Sequence, residues 1–193
     1  METTKTMAKV PEPNSRLPEL SPADASFASE WLQPQEIAKD QLYIRSDIFR
    51  KTLAGMKKRS AGWRESGAIW AGNIEEPTSS VLEVFFYHDL CDDKGRALSL
   101  ELSAEAKFSL YKELAGRGLK LVSMIHSHPE EWVGLSNIDQ ANQLCSRIGF
   151  WSIVVPYYAR RKWNINTAGV HIRINEGWHQ FPPNEAAKRI IIK

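Results

Sequence analysis

The apolar run Leu119-Lys120-Leu121-Val122-Ser123-Met124-Ile125 leads directly into His126-Ser127-His128-Pro129. Such a run reads as a strand buried in a sheet, and Pro129 ends it because proline supplies no backbone donor. Side chains on a strand alternate between faces, so His126 and His128, two residues apart, leave the same side of the sheet. A chain with this segment is committed to a sheet that carries two imidazoles at one strand end.

The remaining segments supply partners for that strand. Leu42–Ile44 reads as a short strand, followed by a Ser46 or Asp47 cap and a helix with Ile48, Phe49, Leu53 and Met56 at helical spacing, closed by Gly62. GAIWAG and SVLEVFFYHDL, separated by the turn-like EEPTS, read as paired strands, and DDKGRA as a loop. Ser103 caps a helix whose apolar stripe is Phe108, Tyr111, Leu114 and Ala115, stopped by Gly116-Arg117-Gly118.

Ser136 begins a further helix with Ile138, Ala141, Leu144, Cys145 and Ile148 on its buried side. FWSIVVP then reads as a buried strand. Strands around NINTAGVHIRI and WHQF follow, with a hairpin turn at Asn175–Gly177. The terminal AAKRIIIK suits either a short helix or an added strand.

Residues 1–36 carry five prolines among small and charged residues, a composition that disfavours regular packing, and read as an N-terminal arm with Phe27, Trp31 and Leu32 as anchors. The domain proper is expected over 37–193. A chain of 193 residues is long enough to bury one core without disulfides. Its net charge of +2, with the basic runs Lys57–Arg59 and Ala159–Lys162 short and separate, argues against nucleic acid as a partner.

The cysteines, Cys91 and Cys145, lack thiolate-site spacing and fit a reduced, cytoplasmic setting. No apolar run reaches the roughly 18 residues of a membrane span.

Ser136-Asn137-Ile138-Asp139 fits an ordinary helix start, a serine cap with an acid three residues on. Single histidines such as His88, His171 and His179 read as packing or surface residues. The combination says more. A hydrolytic zinc takes three His or carboxylate ligands and leaves a position open for water. His126, His128 and Asp139 supply that set if the loop PEEWVGL folds back, for which Pro129 and Gly134 are suited.

His126-Ser127-His128-Pro129, six residues, Ser136, two residues and Asp139 resembles the JAMM signature of the JAB/MPN metalloprotease family. Upstream, Glu65-Ser66-Gly67-Ala68-Ile69-Trp70-Ala71-Gly72 is similar to that family's glutamate-bearing strand, departing from it at Ala68 and at Trp70-Ala71. The resemblance spans about Gln41 to Phe181. It implies an α/β architecture of JAB/MPN (cytidine deaminase-like) type, a mixed, mostly antiparallel sheet flanked by helices.

It also implies one catalytic Zn²⁺ on His126, His128 and Asp139, with Glu65 as general base and then acid and Ser136 as oxyanion donor. The substrate so implied is a peptide or isopeptide bond after the Gly-Gly tail of ubiquitin or a ubiquitin-like protein. Glu130, Glu131 and Trp132 are candidate contacts for that tail. The short Pro156–Trp163 link resembles compact bacterial members, which work beside E1-like and E2-like proteins, including in antiviral operons. Alternatives within the resemblance are processing of a small sulfur-carrier protein and a non-catalytic MPN scaffold.

Overall fold

A computed structural model describes residues 40–75, 77–91 and 100–193. The expected arm, its anchors and the DDKGRA loop lie outside the described residues.

The eight strands are β1 (Gln41–Ile44), β2 (Gly67–Glu75), β3 (Thr78–Phe86), β4 (Lys120–Ser127), β5 (Trp151–Val155), β6 (Gly169–Ile174), β7 (Gly177–Phe181) and β8 (Ile190–Ile192). They form one sheet in the order β7-β6-β5-β4-β2-β3-β1-β8. Pairing is antiparallel at β7–β6, β6–β5, β4–β2 and β2–β3, and parallel at β5–β4, β3–β1 and β1–β8. The expectation of a mixed, mostly antiparallel sheet is met.

Both faces of the sheet are covered, which explains why β5 is buried at every position rather than alternating. Helix α1 (Ser46–Ser60) lays Ile48, Phe49, Thr52 and Met56 on one face, against a core that includes Trp70, Trp151 and Ile153. The buried Trp70 indole finds its partner there: Nε1–H donates to Thr52 Oγ1 at 2.9 Å. No Ser46 or Asp47 side chain caps this helix; Arg45 holds the cap position, and its guanidinium pairs with Asp47 instead. The helix closes through Ala61 and Gly62, both at positive φ.

Helix α2 (Tyr87–Leu90) is one turn where a continued strand was expected. Helix α3 (Ala104–Gly116) covers the opposite face, with Ser103 Oγ accepting from Ala106 N–H as its cap. Its buried residues are Leu110 and Leu114, one turn apart; of the expected stripe Phe108, Tyr111, Leu114 and Ala115, Leu114 alone is buried. Phe108 is 69% exposed, and Tyr111 lies at the helix flank, where its hydroxyl donates to the Leu144 carbonyl.

The segment after Ser136 departs most from expectation. Helix α4 (Asn137–Ala141) is a single turn of five residues, with Ile138 and Ile148 exposed and only Leu144 buried. The apolar spacing there is not realised as a helix face because the chain leaves helical geometry after its first turn. The tail takes both forms the sequence allowed: α5 (Pro183–Arg189), then β8 beside β1. No helix among the described residues is long and apolar enough to cross a membrane.

Candidate metal centre

The sheet brings four chain segments to one end. Strand β4 delivers His126 on its last turn of pleat; His128 lies one residue beyond the strand, still tied to it by donating its N–H to the Val155 carbonyl at 2.8 Å. Strand β2 runs antiparallel beside it with Gly67 opposite His126. Extending that register by two residues sets Glu65 level with His128. The join is fixed by a reciprocal pair in the buried wall: Ser127 N–H donates to the Ser66 carbonyl, and Ser66 N–H to Ser127 Oγ, each at 3.0 Å.

Asp139 arrives from α4. Its Oδ1 lies 3.1 Å from His126 Nε2 and its Oδ2 3.3 Å from His128 Nε2, while the two Nε2 atoms are 3.1 Å apart. The two imidazoles and the carboxylate could hold a metal ion, with their candidate ligand atoms within 4.8 Å of one another. Tautomer logic fits the same purpose. His128 Nδ1 faces the Trp132 carbonyl at 3.0 Å, which only accepts, so Nδ1 carries the proton and Nε2 presents a lone pair to the centre. Three lone-pair donors aimed at one point repel one another unless a cation lies between them.

Electrostatics agree with this placement. Burial alone would raise the Asp139 carboxyl, but without a metal, when the histidine Nε2 atoms act as donors instead of presenting lone pairs, hydrogen bonds from His126, His128 and Ser136 hold it far below the usual carboxylate range. Glu65 behaves oppositely: burial pushes its pKa up, against the opposing fields of His126 and His128. A half-buried carboxylate of raised proton affinity beside a cation site has the character of a general base.

The loop after His128 folds back as expected and is held tightly. Gly169 meets it: a Cβ there would stand 1.9 Å from the Val133 carbonyl oxygen. Beneath it, Tyr157, Tyr158 and Ala159 run consecutively at φ near +55°. This left-handed turn aims two successive amides at the loop, Tyr157 N–H to the Glu130 carbonyl at 3.0 Å and Tyr158 N–H to the His128 carbonyl at 2.7 Å. Left-handed geometry costs roughly 1–2 kcal/mol per non-glycine residue and persists where surrounding contacts over-determine it. No glycine or asparagine marks this turn in the sequence, so it was not foreseen.

Of the expected tail contacts, Glu131 accepts from Tyr157 Oη at 3.0 Å and Glu130 is exposed. Trp132 stacks on His128. His171, expected to be a packing residue, is buried on the site's side of the sheet, its Nδ1 3.3 Å from the Ser152 carbonyl.

No protein-family model matches the chain. Among known proteins, the probable metalloprotease y4jG of Sinorhizobium fredii is 27% identical over 137 residues, covering 69% of this chain and 84% of that protein. The JAMM positions that the sequence spells out are those the fold draws together. The chain is similar to the JAB/MPN family in its motif and in the way the fold gathers that motif.

Solved structures resemble this chain in fold. A Desulfitobacterium hafniense protein determined in solution superposes with a TM-score of 0.54 at 15% identity, over 79% of this chain and 93% of that one. A Salinibacter ruber protein gives 0.51 at 15% identity, over 78% and 91%. A JAB1/MPN domain protein from Archaeoglobus fulgidus aligns at 0.43 with 18% identity, over 79% and 98%.

Proposed function

We propose that this protein is a zinc-dependent JAMM peptidase that cleaves the amide or isopeptide bond after a Gly-Gly tail of ubiquitin or a ubiquitin-like modifier. The observation that carries the hydrolytic reading is the convergence of His126, His128 and Asp139 on one point, with Glu65, next to β2, within their electrostatic reach. The donor set, two imidazoles and one carboxylate with no thiolate, is that of a hydrolytic zinc and leaves a coordination position for water.

When bound there, zinc supplies Lewis acidity and brings the pKa of water from about 15.7 toward 7. Glu65 takes the proton as the water oxygen attacks the scissile carbonyl carbon. As the C–N bond breaks, Glu65 returns that proton to the leaving amine, ending as it began. Ser136 Oγ accepts the Asp139 N–H and so keeps its own O–H free to donate to the oxyanion. Capping and catalysis are compatible in one hydroxyl.

The glycine tail is supported by the motif resemblance and by its chemistry, since a residue without a side chain tolerates close approach to a metal. A modifier system of this kind would make E1-like and E2-like enzymes its partners.

The test is a ubiquitin-like protein carrying a peptide after its Gly-Gly end, incubated with and without a zinc chelator and read by mass spectrometry. Chelator-sensitive cleavage after the second glycine is expected. Cleavage that persists in chelator and in Glu65→Gln would overturn the mechanism; a zinc-loaded protein inert toward every Gly-Gly fusion would overturn the substrate class.

A further inference from the structure

We infer that the indole of Trp132 is a positioning residue for the metal ligand His128, and that metal affinity depends on the face it presents. The inference rests on the metal-centre reading above and extends it to a side chain outside the JAMM motif.

His128 lies past the end of β4, so the sheet holds its backbone but not its ring. The ring is held at Nδ1 by the Trp132 carbonyl at 3.0 Å and at Nε2 by Asp139 at 3.3 Å, contacts at its two nitrogens that leave its faces to whatever packs on them. The indole covers one of those faces. Its ring stacks on the imidazole with centroids 5.1 Å apart and planes 16° from parallel. The same residue therefore sets the tautomer with its backbone and the ring plane with its side chain. His126 differs in lying within β4, flanked by β2 and β5.

Burial does not explain where the indole sits. Trp132 is 55% exposed, so a large part of its apolar surface still faces water. It is nonetheless held in one place, because Gly134 leaves it room: a Cβ at Gly134 would come within 2.6 Å of indole Cζ2 and 2.8 Å of Cε2. An imidazole coordinated to a dication carries positive charge, and an aromatic face within about 6 Å favours that state over the empty one. The stack thus strengthens on metal binding, which a passive packing contact would not do.

The experiment measures Zn²⁺ affinity by competition with a chromophoric chelator, and the visible d–d spectrum after Co²⁺ loading, for wild type, Trp132→Ala, Trp132→Phe, Trp132→Leu and Gly134→Ala. Loss of an outer partner of a ligating histidine costs on the order of 10–100-fold in metal affinity. Trp132→Ala and Gly134→Ala are expected to weaken Zn²⁺ by that factor and to change the Co²⁺ bands. Trp132→Phe, which keeps a flat face, should stay within about threefold of wild type.

Trp132→Leu separates stacking from bulk. If leucine restores affinity as fully as phenylalanine, the role is packing and the inference falls. Unchanged affinity and spectrum in both Trp132→Ala and Gly134→Ala also overturns it. Should Trp132→Ala fail to fold, the phenylalanine–leucine comparison still decides. Wild type that binds neither ion removes the metal centre itself, an outcome recognisable without any variant.

Discussion

Ser136 and Asp139 hold each other in place: Ser136 N–H donates to Asp139 Oδ2 at 2.7 Å, and Asp139 N–H donates to Ser136 Oγ at 3.1 Å. This capping box stabilises a helix of only five residues and, in doing so, turns the carboxylate toward the histidines. Ser136→Ala should lose about 1 kcal/mol of stability in denaturant titration through the missing cap. If Ser136 also serves the oxyanion, turnover falls on the order of 10²-fold or more in the folded variant. A loss of stability with turnover intact would leave the serine as a cap alone.

Glu65 stands outside the ligand cluster but shares its electrostatic field. Glu65→Gln keeps the size of the side chain and removes its ability to take a proton. Turnover should drop by roughly 10²–10⁴-fold, while Zn²⁺ affinity measured by chelator competition stays near that of wild type. Loss of metal in this variant would instead make Glu65 a ligand.

Asp139 is both a candidate metal ligand and a member of the capping box, so metal binding and folding should be linked through it. A ligand present at 1,000 times its Kd stabilises the state that binds it by about 4 kcal/mol. Added Zn²⁺ should therefore raise the thermal midpoint of the metal-free wild type. Asp139→Ala should abolish that rise and also lower the metal-free midpoint, since the capping box goes with it. An equal zinc response in both proteins would place the metal elsewhere.

His171 makes stability depend on pH. Burial pushes its imidazole down to about 4, against a usual value near 6.5. Between those values the unfolded chain takes up a proton that the folded protein does not, so stability is full above 6.5 and declines as pH falls toward 4, by up to about 3 kcal/mol. His171→Gln should flatten the slope over that window, as read by denaturant midpoints at pH 7 and pH 4.5 in metal-free protein.

Ala61 closes α1 at φ 47, a conformation that an L-residue adopts at a cost and glycine adopts freely. Since Ala61 is exposed, Ala61→Gly removes that cost without opening a cavity. The variant should be more stable by about 1 kcal/mol, partly offset by the greater freedom of glycine in the unfolded chain. A lower denaturation midpoint would show that the helix end tolerates alanine without strain.

Sequence alone determined what local rules can carry. Alternation placed His126 and His128 on one side of β4, the serine–aspartate spacing marked the start of α4, and β-branched and aromatic runs marked the strands. These signals act within a few residues, where backbone geometry relates one side chain to the next. The same rules misplaced the buried stripe of α3 and overextended α4, because either face of a short amphipathic segment can be apolar until a neighbour selects one.

Tertiary structure decided the rest. Ser66 and Ser127, 61 residues apart, join only because β2 pairs with β4 in one register, and a shift of one residue would turn Glu65 to the other face. The left-handed turn at Tyr157–Ala159 and the indole over His128 likewise carry no local mark. The turn is set by its contacts with the loop after His128, and the stack by the way that loop folds back on itself. The motif names the ligands; the pairing of strands and the folded-back loop bring them to one point.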